Sequence, residues 1–187
     1  MGSEWRNCIV TYIDVIGTKK AGGPATLMRR LHALVGKMKS QLPAIEHAYT
    51  WNDSVLLLSF VDGQSTYSPA IRAADALKKQ IDSEIAKSYA IAVKGQAFPQ
   101  LDTLVVASQN PGVTVISASS WAMANCFEIE QELRKRKWRK PWYVDIRIAG
   151  KIQTRQRFEE MKVPGMLGAG GRRKPRVICA FSGYLWN

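Results

Sequence analysis

An α/β fold of the α+β kind, with a βαββαβ core, is what the sequence predicts, and three patterns predict it. Asn7 to Asp14 and Ser54 to Phe60 are short, nearly continuous apolar runs, which read as buried strands. Leu27, Leu31, Leu34, Val35, Met38 and Leu42, and later Ile71, Ala74, Leu77, Ile81 and Ile85, recur at spacings of three and four, the period of amphipathic helices. These pieces alternate in the order strand, helix, hairpin, helix, strand, which is the ferredoxin-like plan.

Each element has a local reason. The first strand ends in Asp14 and runs into a loop with three glycines, Val15 to Pro24. Pro24 suits the first turn of the following helix, and Pro43 stops that helix. Ala44 to Tyr49 reads as a short strand, and Thr50-Trp51-Asn52-Asp53 as a hairpin turn, because Asn and Asp accept turn geometry. Val61 to Ser68 reads as a loop before the second helix. Tyr89 to Phe98 reads as a strand interrupted by Lys94 and Gly95. Leu104 to Ala107 and Val113 to Ile116 read as strands around the turn Asn110-Pro111-Gly112. Ser119 to Leu133 reads as a third helix and Trp142 to Ile148 as a strand. Beyond Gly150 the chain is rich in Gly and Arg, with one apolar run, Val177 to Phe181.

Composition narrows the function. Hydrophobic residues make up 46% and charged residues 22%, enough apolar content for a packed core and too much for a disordered chain. No apolar run approaches a membrane span, and the N-terminus lacks a secretory layout. Three widely spaced cysteines, Cys8, Cys126 and Cys179, offer neither a disulfide framework nor zinc spacing. A cytoplasmic protein without membrane association is expected. Lys and Arg number 27 against 15 acids, a net charge of +12, which attracts phosphates.

With few acids in the chain, their placement is informative. A right-handed βαβ crossover makes the first two strands parallel, so their C-terminal ends share one sheet edge. Asp14 ends the first strand and Asp53 sits in the turn leaving the second. Two carboxylates beside a glycine-containing loop can hold Mg²⁺ against a triphosphate. Backbone N–H groups of Val15, Ile16, Gly17 and Thr18 are candidates to cradle phosphate oxygens. For either acid alone, a strand end or a hairpin turn is sufficient explanation; the topology makes the pair a site.

Y-I-D-V-I-G at 12–17, followed by Y-T-W-N-D-S-V-L-L-L-S-F at 49–60, resembles the class III nucleotidyl cyclase catalytic domain. Within that family the chain is most similar to the compact bacterial pyrimidine (uridylate or cytidylate) cyclases of the Pycsar antiphage system. I-A-V-K-G-Q at 91–96 resembles their Arg-Gly strand with Lys94 in place of Arg, and A-N-C-F-E-I-E at 124–130 resembles their helix segment. P-W-Y-V-D at 141–145 resembles their Pro-Arg-Ile strand. Thr18, Trp51-Asn52 and residues 118–123 depart from the family pattern.

The resemblance implies one nucleotidyl cyclase-like domain over 1–187, with a core of about 5–148 and a basic Gly/Arg-containing extension over about 149–187. It implies two Mg²⁺ or Mn²⁺ ions per site, with Asp14, Val15 and Asp53 as ligands and the two aspartates catalytic. Tyr49 stands where purine cyclases carry a charged base reader, so it and Lys94 are the candidate pyrimidine readers. UTP is favoured over CTP as substrate, because a donor-only lysine facing position 4 of the base suits uracil. A homodimer with interface active sites is implied too, as is a separate effector that senses the cyclic nucleotide in antiphage defence. The competing reading is a basic, ferredoxin-like nucleic-acid-binding module without catalysis. The basic run Arg134 to Lys140, with Trp138 inside it, and the cluster Arg172 to Arg176 suit that reading, and also suit solvated surface.

Overall fold

The computed structural model describes residues 5–17, 24–97, 105–107, 114–116, 121–137, 140–152, 154, 156–163 and 175–186. Its elements, in chain order, are β1 (Arg6–Val15), α1 (Pro24–Lys39), β2 (His47–Trp51), β3 (Ser54–Phe60), α2 (Gln64–Glu84) and β4 (Ser88–Ala97). Then come β5 (Val105–Ala107), β6 (Thr114–Ile116), α3 (Trp121–Lys135), β7 (Trp142–Asp145), α4 (Ile146–Ala149), β8 (Phe158–Val163) and β9 (Arg176–Phe181).

Seven strands form one sheet in the order β2-β3-β1-β4-β7-β9-β8, and β5 and β6 form a separate antiparallel pair. Its first four strands, 2-3-1-4, are the expected βαββαβ core. β1 is antiparallel to β3, and β3 to β2, so β1 and β2 run the same way, as a βαβ crossover requires.

β1 is buried on both faces, which is why its sequence is apolar almost without alternation. Ile9, Ile13 and Val15 pack with α1 and α2 on one side. Cys8, Val10 and Tyr12 pack with α3 on the other. α3 lies close over β4: a Cβ on Gly95 would sit 2.5 Å from that of Ala122. The glycine that breaks the strand's apolar run is therefore a packing requirement. Gly95→Ala is expected to cost ~1–3 kcal/mol by overpacking, readable as a lower unfolding temperature.

The structure shifts several of the expected element bounds. The second helix starts at Gln64 and takes in most of the expected loop, with Pro69 inside it. Proline so near the helix start removes one hydrogen bond without breaking the turn. The strand expected over Trp142 to Ile148 stops at Asp145, whose carboxylate accepts from the Arg147 N–H and caps α4. The C-terminal residues extend the main sheet: β9 pairs with β7, and β8 forms the edge beyond it. β2 begins at His47, later than expected, and reaches Trp51, which shortens the hairpin turn to Asn52-Asp53. Among the described residues, no helix is long and apolar enough to cross a membrane.

Candidate active site

Asp14 lies one residue from the end of β1, opposite Ser54 of β3 and Tyr89 of β4. Its place in the strand's two-residue period puts its side chain on the α3 face, with Tyr12. Asn52 takes a left-handed φ of 50°, a conformation asparagine tolerates, and so the two-residue turn closes. The turn is tied to β1 by the Val15 N–H, which donates to the Asp53 carbonyl at 3.1 Å. The strand end and the turn thus bring Asp14 and Asp53 together, as the topology predicted.

Asp14 is only 7% exposed. Its Oδ1 accepts from the Ser54 hydroxyl at 2.8 Å and the Tyr12 hydroxyl at 3.3 Å. Those two hydroxyls also contact each other at 2.9 Å. Its Oδ2 accepts from Nη2 of Arg134, near the end of α3, at 3.2 Å. Arg134 also pairs through Nε with Glu130, one helical turn earlier, and Tyr89 donates its hydroxyl to the same Glu130 oxygen at 3.0 Å. Five side chains from β1, β3, β4 and α3 therefore surround Asp14 in one polar network.

Burial pushes the Asp14 carboxyl above the usual aspartate range, and the neighbouring Asp53 charge adds to that push. Ser54, Arg134 and Tyr89 oppose it. Burial, with the Asp14 charge second, raises the Tyr12 and Tyr89 phenols, so both remain hydroxyl donors at neutral pH. The raised folded value means that the ionised Asp14 costs stability. That penalty is absent below the unfolded value of about 3.9 and grows as pH rises through the folded one. Asp14→Asn is therefore expected to unfold at a higher temperature than wild type at pH 7–8, with the gap closing toward pH 4 in paired thermal melts.

A buried Asp14 carboxyl pushed up further by the Asp53 charge forms, with Asp53, a donor set that a hard divalent cation would relieve, and oxygen donors suit Mg²⁺ and Mn²⁺. Among the described residues no group of three or more His, Cys, Asp or Glu gathers as a metal cluster, so the pair is the candidate.

The other expected site residues fare differently. Tyr49 is on the Asp14 face, opposite Leu56 and stacked on His47, two strands from β1 and so about 10 Å across the sheet. Lys94 is not brought to the pair. It lies five residues along β4 from Tyr89, about 17 Å, and it faces the other side of the sheet, its Nζ 5.5 Å from the centre of the Tyr67 ring. Lys151 covers the same ring at 4.6 Å. The lysine that interrupts an apolar strand is accommodated by an aromatic face. The Val15 and Ile16 N–H groups are not open for phosphate, since they donate to the carbonyls of Asp53 and Lys87 at 3.1 and 2.7 Å. Gly17 follows with a left-handed φ of 81°, and Thr18 lies outside the described residues.

Ser54, Tyr89, Glu130 and Arg134 were missed. A signal for the last two existed: Glu130 and Arg134 are four apart on a helix, the spacing of an ion pair. Arg134 was hidden as the first residue of a basic run that reads as solvated helix end.

No protein-family model matches the chain, and no curated protein matches it. Solved structures do. A bacterial light-regulated adenylyl cyclase superposes with a TM-score of 0.61 at 11% identity, over 97% of this chain and 93% of that one. The chain has a class III cyclase-like fold. The guanylate cyclase domain of RhGC from Catenaria anguillulae, in complex with GTP, gives 0.52 at 11% identity over 97% and 100% of the two chains. The adenylate/guanylate cyclase/hydrolase from Silicibacter pomeroyi gives 0.51 at 12% over 96% and 98%. The cyclase-like likeness runs through the C-terminal strands as well as the βαββαβ core.

Proposed function

We propose that this chain is a metal-dependent nucleotidyl cyclase. Its substrate would be a pyrimidine nucleoside triphosphate, UTP ahead of CTP, and its products the 3′,5′-cyclic monophosphate and pyrophosphate. The observation that carries the reading is the meeting of Asp14 and Asp53 at one sheet edge of a cyclase-like fold. A pair of Mg²⁺ or Mn²⁺ ions at these carboxylates would supply the lowered 3′-hydroxyl pKa and the charge neutralisation that the reaction needs. In the reaction the ribose 3′-hydroxyl gives up its proton to solvent and its oxygen forms a bond to the α-phosphorus. The bond from that phosphorus to its bridging oxygen breaks, and pyrophosphate takes the electron pair.

The chain's own groups orient this chemistry. Ser54 and Tyr12 fix Asp14 through Oδ1, leaving Oδ2 as the outward ligand atom. Asp53 comes from a turn braced on Val15, whose own backbone is the third candidate ligand. Gly17 and Thr18 are the remaining candidates to meet phosphate oxygens. Tyr49, on the same face, is the candidate base reader, and a large aromatic there leaves less room for a purine.

The preference for a pyrimidine, the antiphage role and the separate cyclic-nucleotide-sensing effector rest on the sequence resemblance. So does the homodimer with interface sites, for which activity per chain is expected to fall on dilution below the dimer dissociation constant. Sedimentation of a fully active monomer would contradict it. The nucleic-acid reading fares less well. Sheet-based RNA binding stacks bases on exposed aromatics across the central strands, whereas Tyr12, Trp142 and Tyr143 are buried and the exposed Phe158 lies on the edge strand β8.

The test is incubation with each of the four nucleoside triphosphates and Mn²⁺ or Mg²⁺, comparing initial rates in wild type and Tyr49→Ala. UTP is expected to be fastest, with selectivity blurred in the variant. A wild-type preference for ATP or GTP would retire the pyrimidine reading, and unchanged selectivity in Tyr49→Ala would remove Tyr49 from the base pocket.

A further inference from the structure

We propose that Arg134 is a built-in counter-cation for Asp14, a latch that a divalent ion must displace before Asp14 can bind it. This rests on the reading of Asp14 as a metal ligand. The division of labour between the two Asp14 oxygens points to it. Oδ1 is taken by two hydroxyls, those of Ser54 and Tyr12. Oδ2 is the atom left for a cation, and the Arg134 guanidinium holds it at 3.2 Å. A guanidinium and a divalent ion repel each other, and a strong hydrogen bond to that oxygen competes for the same lone pairs.

The arrangement suits a latch rather than a fixed structural bridge. The Asp14 side chain is 9% exposed, but that of Arg134 is 63% exposed. Arg134 can therefore leave into water without unpacking the core, on a long and flexible stem. It need not leave entirely. Its Nε is held by Glu130, which is buried and whose same oxygen also accepts from the Tyr89 hydroxyl. Glu130 acts as a pivot, leaving Nη2 the end that lets go. While the pair is closed, Asp14 has its charge compensated without a metal.

The experiment titrates the full chain with Mn²⁺ alone, without nucleotide, following free Mn²⁺ by electron paramagnetic resonance. Wild type, Arg134→Gln, Arg134→Lys and Asp14→Asn are compared, each checked for folding by circular dichroism. An exposed ion pair sets a scale of up to about fivefold. Arg134→Gln is expected to bind Mn²⁺ more tightly than wild type, by up to that factor, with Arg134→Lys in between. The gap should narrow in high salt, which screens the guanidinium charge. Equal or weaker binding in Arg134→Gln, or binding in neither it nor wild type, overturns the latch. If Asp14→Asn still weakens binding in the first case, the metal site stands without it. If Asp14→Asn binds Mn²⁺ as wild type does, Asp14 is not a metal ligand, and the latch falls with that reading.

Discussion

Asp14→Asn and Asp53→Asn are each expected to lower turnover by ~10²–10³ or more, the usual cost of removing a preorganised electrostatic stabiliser, while leaving the fold intact. Both substitutions keep size and shape and remove one negative charge. Asn at 14 can still accept from Ser54 and Tyr12, so the local network survives in part. Asp53 lies in a turn where asparagine is equally at home. The pair therefore separates chemistry from folding. Matched circular dichroism spectra with collapsed turnover agree with the account, and a folded variant with wild-type turnover removes that residue from the catalytic centre.

The second large effect is on stability. Lys78 is fully buried in α2 and donates to Asp82 Oδ2 at 2.7 Å and to the Ser88 carbonyl at 2.9 Å. Asp82 also accepts from the Ser88 N–H and hydroxyl, both at 2.7 Å, and from the Tyr184 hydroxyl at 2.9 Å. Beside it Asp75 accepts from the Trp142 indole at 2.8 Å and the Leu185 N–H at 3.2 Å. Two acids of one helix, Asp75 buried and Asp82 half-buried, thus clamp the start of β4, the strand β7 and the C-terminal segment. Burial lowers the Lys78 pKa, and Asp82 opposes that shift. Removing the lysine leaves a buried carboxylate short of its cation, which typically costs ~3–5 kcal/mol. Lys78→Met is expected to lower the unfolding temperature by roughly 10 °C, at about 2–4 °C per kcal/mol for a chain of this size. An unchanged melting curve would show that the network contributes nothing net.

What the sequence revealed, and what it hid, follows from the physics of each element. β1 and β3 were legible because strands buried on both faces must be apolar throughout. The Asp14–Asp53 meeting was legible because a crossover and a two-residue turn leave few alternatives. β8 was not legible: Phe158, Glu159 and Glu160 lie exposed on an edge strand, so nothing forces an apolar period on them. α4 was hidden inside an apolar run, and only the Asp145 side chain, turning back to the Arg147 N–H, ends the strand there. Lys94 shared an apparent motif with Gly95, but alternate residues of a strand point to opposite faces, and its face is that of Tyr67. Arg134 looked like solvent-facing charge, and most of it is; what matters is the one nitrogen that reaches Asp14.

The most direct test of the central claim is phosphorus NMR of wild-type chain turning over UTP with Mn²⁺. The account predicts a 3′,5′-cyclic phosphodiester and pyrophosphate in equal amounts, with neither formed when chelator is added or Asp53→Asn replaces wild type. Release of orthophosphate or of a nucleoside diphosphate, or no turnover of any nucleoside triphosphate by the folded chain, would contradict it.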